Sequence, residues 1–305
     1  MNVTVIVTTY DLLRFEDAVK AVNSLLDQTY RDKEIIVVVD RNEGLYSKLT
    51  SVLPSQVKII LNRTGGLSNS RNEGVIHANG EIIAFMDDDA IASKTWLSNL
   101  IRNYDQQNVI GVGGRIKPLW LGDQRNEFPE ELFWIIGCTY KGYFETKCAV
   151  RNNFGGNFSF TRVIFRTLKF CSDVGRNGNL QLTSDDTEFS IRALRLFPNS
   201  KIIYDPDAIV YHRIYPYRLS LAYAMRRAYG DGFSKAYIST KHKGDALSRE
   251  STYLKTLFIK SLPNEVKNLL IGKRKTQATR KAVIILIVVA LVVSGYLVGK
   301  LKWRV

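Results

Sequence analysis

Three consecutive carboxylates, Asp87, Asp88 and Asp89, follow the apolar run Ile82–Met86 without a spacer. Like charges at this density repel and raise one another's pKa unless a cation neutralises them. Hard divalent ions take oxygen ligands, and Mg²⁺ combines one or two carboxylates with substrate phosphates. The spacing therefore suggests a metal–diphosphate site at the carboxyl end of a strand, the edge where α/β sheets bind ligands. A polar turn that caps the next helix is the plainer alternative. A second acidic pair, Asp185-Asp186, stands between Ser184 and a helical repeat of Thr187, Ile191 and Leu194. Acidic residues at such a place favour a helix's first turn.

Such groups need a frame, and the first 115 residues alternate strand and helix signals. Val3–Thr8, Ile35–Val39, Val57–Leu61 and Ile82–Met86 read as strands. Phe15–Leu26 reads as an amphipathic helix with Phe15, Val19, Val22 and Leu26 on one face, and Leu67–His77 and Thr95–Tyr104 as further helices. Alternation with wholly apolar strands implies a parallel sheet covered on both faces. Asp40 follows one apolar strand as Asp87–Asp89 follow another, so both acidic groups are expected on one sheet edge. From Gly111 to Tyr211 the pattern shifts to short strands, Val112–Ile116, Trp134–Gly137 and Asn157–Phe160, which suggests a second half forming one wall of a cleft. No GxGxxG follows the first strand and no GxxxxGK[ST] occurs, so dinucleotide-binding and P-loop readings lose their main support.

The net charge of +14 is unevenly placed. From Lys241 onward 14 Lys/Arg face three Asp/Glu, which leaves only +3 on the first 240 residues and speaks against nucleic acid as partner. Residues Ala282–Gly299 carry no charge; as a helix they span about 27 Å, close to the hydrocarbon thickness of a bilayer. Lys300, Lys302 and Arg304 sit where they can snorkel, and a transmembrane helix over 282–303 is expected rather than a buried core helix. Eleven Lys/Arg lie between Lys241 and Lys281, so the positive-inside rule predicts a single-pass membrane protein with its large N-terminal part in the cytoplasm. The same stretch should attract anionic lipids, with Tyr253–Leu262 as an interfacial helix or a solvated linker. Residues 1–240 are expected to form the folded body (1–115 and 116–240 as its halves) and 241–281 a basic juxtamembrane segment. Cys138, Cys148 and Cys171 form no metal or CxxC spacing.

The order of motifs carries a resemblance. Val5–Tyr10 followed by Leu26–Asp40, then Ser70–Gly80 with Phe85–Asp89, then Gly155–Asn157, Ser184–Glu188 and Pro206–His212, resembles family 2 glycosyltransferases of GT-A fold over roughly residues 3–235. More narrowly, Val38–Glu43, Arg151–Asn157 and Tyr204–His212 are similar to archaeal glucosyl-dolichyl-phosphate glucuronosyltransferases of protein N-glycosylation. The resemblance implies an α/β fold, a Rossmann-like, mostly parallel central sheet with helices on both faces, and an inverting, metal-dependent transfer of a sugar from a nucleotide donor, commonly UDP-linked, to a lipid-linked saccharide.

It also implies roles. Thr8, Thr9, Tyr10 and Asp40 match a base pocket, with Arg41 standing where the family often has a second acid. Arg71 matches an arginine near the diphosphate, with a salt bridge to a neighbouring acid as its structural alternative. Asp89 and Asp87 match metal ligands for Mg²⁺ or Mn²⁺, Asp87 lying nearer the ribose or sugar and Asp88 within the donor site. His212 matches an additional ligand found in some relatives. Asp186 matches the base, with Asp185 as alternative, and Asn157 a contact to sugar or diphosphate. Arg115, Arg151 and Lys117 are candidates by location for a glucuronate carboxylate, and Trp120, Trp134, Tyr140 and Tyr143 for a sugar platform or simply core. A polyprenyl-phosphate sugar synthase, a surface-polysaccharide transferase and a catalytically silent anchored scaffold are the competing readings, the last opposed by the intact acidic groups.

Overall fold

The computed structural model describes residues 1–122, 128–174, 183–242, 247–271 and 275–303. Its elements, in chain order, are β1 (Val3–Thr9), α1 (Phe15–Leu26), β2 (Lys33–Asp40), α2 (Glu43–Val52), β3 (Val57–Asn62), α3 (Leu67–Ile76), β4 (Ile82–Asp87), β5 (Ala90–Ala92), α4 (Trp96–Ile101), β6 (Val109–Trp120), β7 (Cys148–Val150), β8 (Asn157–Thr161), α5 (Asp185–Leu196), β9 (Lys201–Ile214), α6 (Leu221–Lys241), α7 (Ser248–Thr256), α8 (Leu262–Ile271) and α9 (Lys275–Lys302). Short 3₁₀ turns at Leu12–Arg14, Glu130–Ile136, Arg162–Arg166 and Pro216–Leu219 join some of them.

The strands form one sheet in the order β3-β2-β1-β4-β8-β6-β9-β5, with β7 paired to β9. The β1, β2, β3 and β4 pairings are parallel, as the βα alternation requires. Ile36, Val37, Val38 and Val39 are all wholly buried, which is why β2 reads as a continuous apolar run rather than an alternating one. Of the remaining pairs, β4–β8, β6–β8, β5–β9 and β7–β9 are antiparallel. On α1 the residues Phe15, Ala18, Val22 and Leu25 are buried at helical spacing, so that face packs inward. The helix α2, unannounced by its weak amphipathicity, is started by Asn42, whose side chain accepts from the Leu45 N–H at 2.9 Å. The segment expected as a strand at Trp134–Gly137 is instead the 3₁₀ turn Glu130–Ile136. Its aromatic and β-branched residues favour strands, yet Leu132, Ile135 and Ile136 are buried at spacings of three and four, a helical pattern that packing enforces.

Two compact units share the chain. One comprises Met1–Pro118, Phe144–Gly178 and Asp185–Arg213 and holds the sheet; the other comprises Leu119–Tyr143, Asn179–Ser184 and Ile214–Val305. Within the second unit α6 runs against α9 so closely that a Cβ on Gly232 would fall 2.0 Å from the Val292 carbonyl oxygen, and one on Gly295 2.1 Å from that of Tyr229. Lys300 donates to Thr240 across the same seam at 3.1 Å. Among the described residues α9 is the one helix long and apolar enough to cross a membrane.

Candidate active site

The parallel register sets the site's floor. Thr8 is paired with Asp87 across β1 and β4, and Asp40 with Asn62 across β2 and β3, so the carboxyl ends of these strands finish level. Asp87 ends β4; the chain turns through Asp88 and Asp89 into β5, whose Ala90 pairs with His212 of β9. The Arg213 N–H donates to the Asp89 carbonyl at 2.8 Å, which fixes the register. In consequence His212 Nε2 lies 3.1 Å from Asp89 Oδ1, and one ligand atom from each of Asp87, Asp89 and His212 falls within 4.8 Å of the others. Asp89 and His212 are buried and Asp87 is half-buried.

Within the acidic cluster Asp88 and Asp89 are buried. Burial, then the neighbouring Asp89, push the Asp88 carboxyl up to about 7, against the pull of Arg14 and the Thr9 hydroxyl. Arg14 Nη1 lies 3.3 Å from Asp88 Oδ1 and pairs more closely with Asp89. Nothing in the sequence pattern singled out Arg14; its only signal is a cation placed between the end of β1 and the apolar face of α1.

A second cation joins the cluster to the other acidic pair. Arg71, buried on α3 beside the rings of Phe158 and Phe170, is ion-paired to Asp185, donates to the Gly155 carbonyl at 2.9 Å and lies 4.0 Å from Asp87. The salt bridge to a neighbouring acid, the structural alternative for Arg71, is present, and the same guanidinium borders Asp87. Asp185 is buried while its neighbour Asp186 is half-buried. The residue before them, Ser184, is held at φ 75°, a left-handed conformation that costs a non-glycine residue energy and clusters at functional sites.

The loop Gly155-Gly156 brings the two acidic groups together. A Cβ on Gly156 would meet Asp87 Oδ2 at 2.8 Å, and one on Gly155 would lie 3.6 Å from Asp186 Oδ2. Asp87 and Asp186 therefore lie against adjacent residues of one loop. Asn157, expected to touch ligand, does not face the site. It is wholly buried, accepts from Trp96 Nε1 at 2.8 Å and donates to the carbonyls of Ala208 and Arg115 at 2.8 and 3.1 Å. Its amide is consumed in holding β8, β6 and β9 to α4.

At the base-pocket end, Thr9 is buried, Thr8 half-buried and Tyr10 exposed. Asp40 accepts from the Gly66 N–H at 2.8 Å through one oxygen, and the other, Oδ1, is buried without a hydrogen-bond partner. Arg41 turns away to the Thr64 carbonyl. Of the candidates for a sugar carboxylate, Arg115 is paired with Glu145 at 2.7 Å and Arg151 donates to Asn152 at 2.9 Å, while Lys117 is half-buried on β6. The aromatics proposed as a platform pack among themselves: Trp134 donates to the Tyr253 hydroxyl at 2.9 Å, Tyr140 stands edge-on to Tyr143 and Tyr253, and Trp120 to Phe133.

Known proteins share this arrangement of elements. Residues 4–169 match the family described as Glycosyl transferase family 2. The glucosyl-dolichyl phosphate glucuronosyltransferase of Haloferax volcanii is 30% identical over 99% of this chain and 97% of its own. Among solved structures, the mannosyltransferase of Pyrobaculum calidifontis in complex with GDP-Man and Mn2+ superimposes with a TM-score of 0.61 at 18% identity, covering 100% of this chain and 88% of the other. GalNAc-T7 with UDP, GalNAc and Mn2+ gives 0.56 at 14% identity over 83% and 53% of the two chains. These two likenesses speak to the fold, a GT-A-like α/β architecture.

Proposed function

This chain belongs to glycosyl transferase family 2, and from that premise we propose that it transfers a sugar, with inversion, from a UDP-linked donor to a dolichyl- or other polyprenyl-phosphate-linked saccharide at the cytoplasmic membrane face. The observation that supports the reading is the seating of Asp87 and Asp186 against Gly156 and Gly155, adjacent residues of one loop, an arrangement suited to a metal-binding carboxylate beside an accessible base. Two carboxylates and an imidazole suit a divalent ion such as Mn²⁺ or Mg²⁺, with the imidazole favouring Mn²⁺. Asp87, Asp89 and His212 would hold it. Bound there, the ion would offset the charge that develops on the departing nucleotide diphosphate.

The protein's own groups complete the chemistry. Asp186 takes the proton of the acceptor hydroxyl as it attacks the anomeric carbon. Asp185 holds Arg71, and Arg71 in turn keeps positive charge beside Asp87 where diphosphate oxygens would lie. The unpaired Asp40 Oδ1 is an acceptor suited to the N–H of a uracil ring, with Thr8, Thr9 and Tyr10 around it. The name of the Haloferax relative supports glucuronate as the sugar and a glucosyl-dolichyl phosphate as acceptor. Lys117 is then the cation that meets the glucuronate carboxylate.

Attachment to the membrane falls to the chain's C-terminal part, 241–281 as a basic segment and 282–303 as the anchor, with 1–240 as the catalytic body. Exposed Phe258, Ile259 and Val266 on the helical stretch from α7 to α8 alternate with exposed Lys255, Lys260 and Lys267, a pattern suited to an anionic lipid surface. The test is a calorimetric titration of the full chain in detergent with UDP and with GDP, each with and without Mn²⁺. It is followed by transfer from UDP-glucuronate to a polyprenyl-phosphate-linked glucose. Mn²⁺-dependent UDP binding and product formation are expected; a preference for GDP would replace the donor assignment, and binding of neither would remove the enzymatic one.

A further inference from the structure

Arg14 closes the 3₁₀ turn Leu12–Arg14 between β1 and α1, a turn started by Asp11, whose carboxylate accepts from the Leu13 N–H at 3.0 Å. From there its guanidinium reaches Asp88 and Asp89, both nearly sealed from solvent. The other Asp89 oxygen faces His212. Any divalent ion drawn to Asp87, Asp89 and His212 must therefore share Asp89 with a guanidinium. Two cations on one buried carboxylate repel strongly, because little solvent lies between them to screen the charge.

The turn that carries Arg14 lies at the surface. Leu12 is 50% exposed and Leu13 90%, so these two side chains add little packing against a small shift. A guanidinium released from Asp89 keeps Asp88 beside it at 3.3 Å, and a second anion would replace the lost half of its pairing in a closed site where charge is costly. The diphosphate of a nucleotide supplies one beside the same metal, and a guanidinium fork matches phosphate oxygens in pairs.

Resting on the metal–nucleotide reading of the site, we propose that Arg14 is a built-in counter-cation. It competes with the divalent ion for Asp89 and passes to the diphosphate when the nucleotide arrives. Metal alone then binds weakly, and metal and nucleotide bind as a pair. A cation that merely neutralised the acidic cluster at every stage would not create this dependence.

The test measures free Mn²⁺ by electron paramagnetic resonance with the full chain in detergent, with and without saturating UDP, for wild type, Arg14→Gln, Arg14→Met and Arg14→Lys. In wild type, UDP is expected to tighten Mn²⁺ binding about ten-fold or more. In Arg14→Gln, Mn²⁺ alone binds about ten-fold tighter than in wild type, and the gain from UDP falls to about two-fold. Arg14→Lys, which keeps the charge, retains the wild-type pattern. Arg14→Met repeats the measurement should the glutamine variant misfold, as judged by its circular dichroism. Unchanged or weaker Mn²⁺ binding in the neutral variants, with UDP coupling intact, overturns the proposal while leaving the metal–nucleotide site standing. Binding of neither Mn²⁺ nor UDP to any variant overturns both.

Discussion

Arg71 and Asp185 are ion-paired inside the protein although 114 positions separate them in the chain. The pair explains why two adjacent carboxylates on one helix start differ in kind. Asp185 is turned inward to a buried cation, whereas Asp186 stays half-open beside Gly155.

Asp186→Asn should lower kcat by about 10³-fold, the scale of a lost general base, while leaving Mn²⁺-dependent UDP binding intact. Asp185→Asn should act on stability instead, at a cost of about 3 kcal/mol, because it leaves the buried Arg71 to the more distant Asp87, 4.0 Å away. Urea unfolding and steady-state kinetics on the two variants separate these effects. A catalytic defect confined to Asp185→Asn would reverse the assignment.

Gly156→Ala introduces a methyl group 2.8 Å from Asp87 Oδ2, closer than ordinary contact allows. If the loop holds, Asp87 is displaced, and a misplacement of about 1 Å at a reacting centre costs on the order of 10²-fold in rate. The expected phenotype is a folded protein with weakened Mn²⁺ binding and reduced turnover. Wild-type metal affinity would show that the loop gives way rather than the carboxylate.

Asp205 ties β9 to Arg102 and Asn103, just past the end of α4. Burial would raise its carboxyl, but hydrogen bonds from Asn103, the Asp207 N–H and Arg102 outweigh burial and hold it below the usual carboxylate value. A carboxyl depressed in the folded state stabilises the fold above its unfolded pKa of about 4, and that stabilisation is lost as pH falls through the folded value. Urea midpoints should therefore drop more steeply from about pH 5 down to about pH 3 in wild type than in Asp205→Asn. Parallel slopes would remove Asp205 from the acid response.

Deleting residues 282–305 should release the protein from membranes. It should also uncover the face of α6 that carries Phe233 and Ala236, both buried in the intact chain. The truncated protein is thus expected to self-associate in sizing experiments. Sedimentation with vesicles would instead point to the α7–α8 stretch as a sufficient anchor.

How much of this was legible in the sequence depends on what each residue answers to. The place of Asp87 at the end of β4 and the parallel strands were readable because apolar runs ending in acid obey the rules of a parallel sheet, and α1 matched its expected bounds. Asp185 and Asp186 were found as a pair, but only the reach of Arg71 from α3 tells them apart. Asn157 misled because a motif position does not reveal which side of a strand its amide serves. Arg14 escaped because its partners lie far along the chain, and no local period marks a residue that acts by ion pairing. Trp134–Gly137 was misjudged because strand-favouring side chains there obey a helical burial pattern.

The pairing of β5 with β9 has a consequence for how the protein is made. Chains emerge from the ribosome amino end first and fold as they lengthen. The parallel quartet β3-β2-β1-β4 can close early, but Ala90–Ala92 has no strand to join until Val210–His212 has been synthesised. The acidic turn thus waits, incomplete, through the making of more than half the body. His212 arrives as the closing piece, so the candidate metal group of Asp87, Asp89 and His212 is assembled only when the sheet is finished.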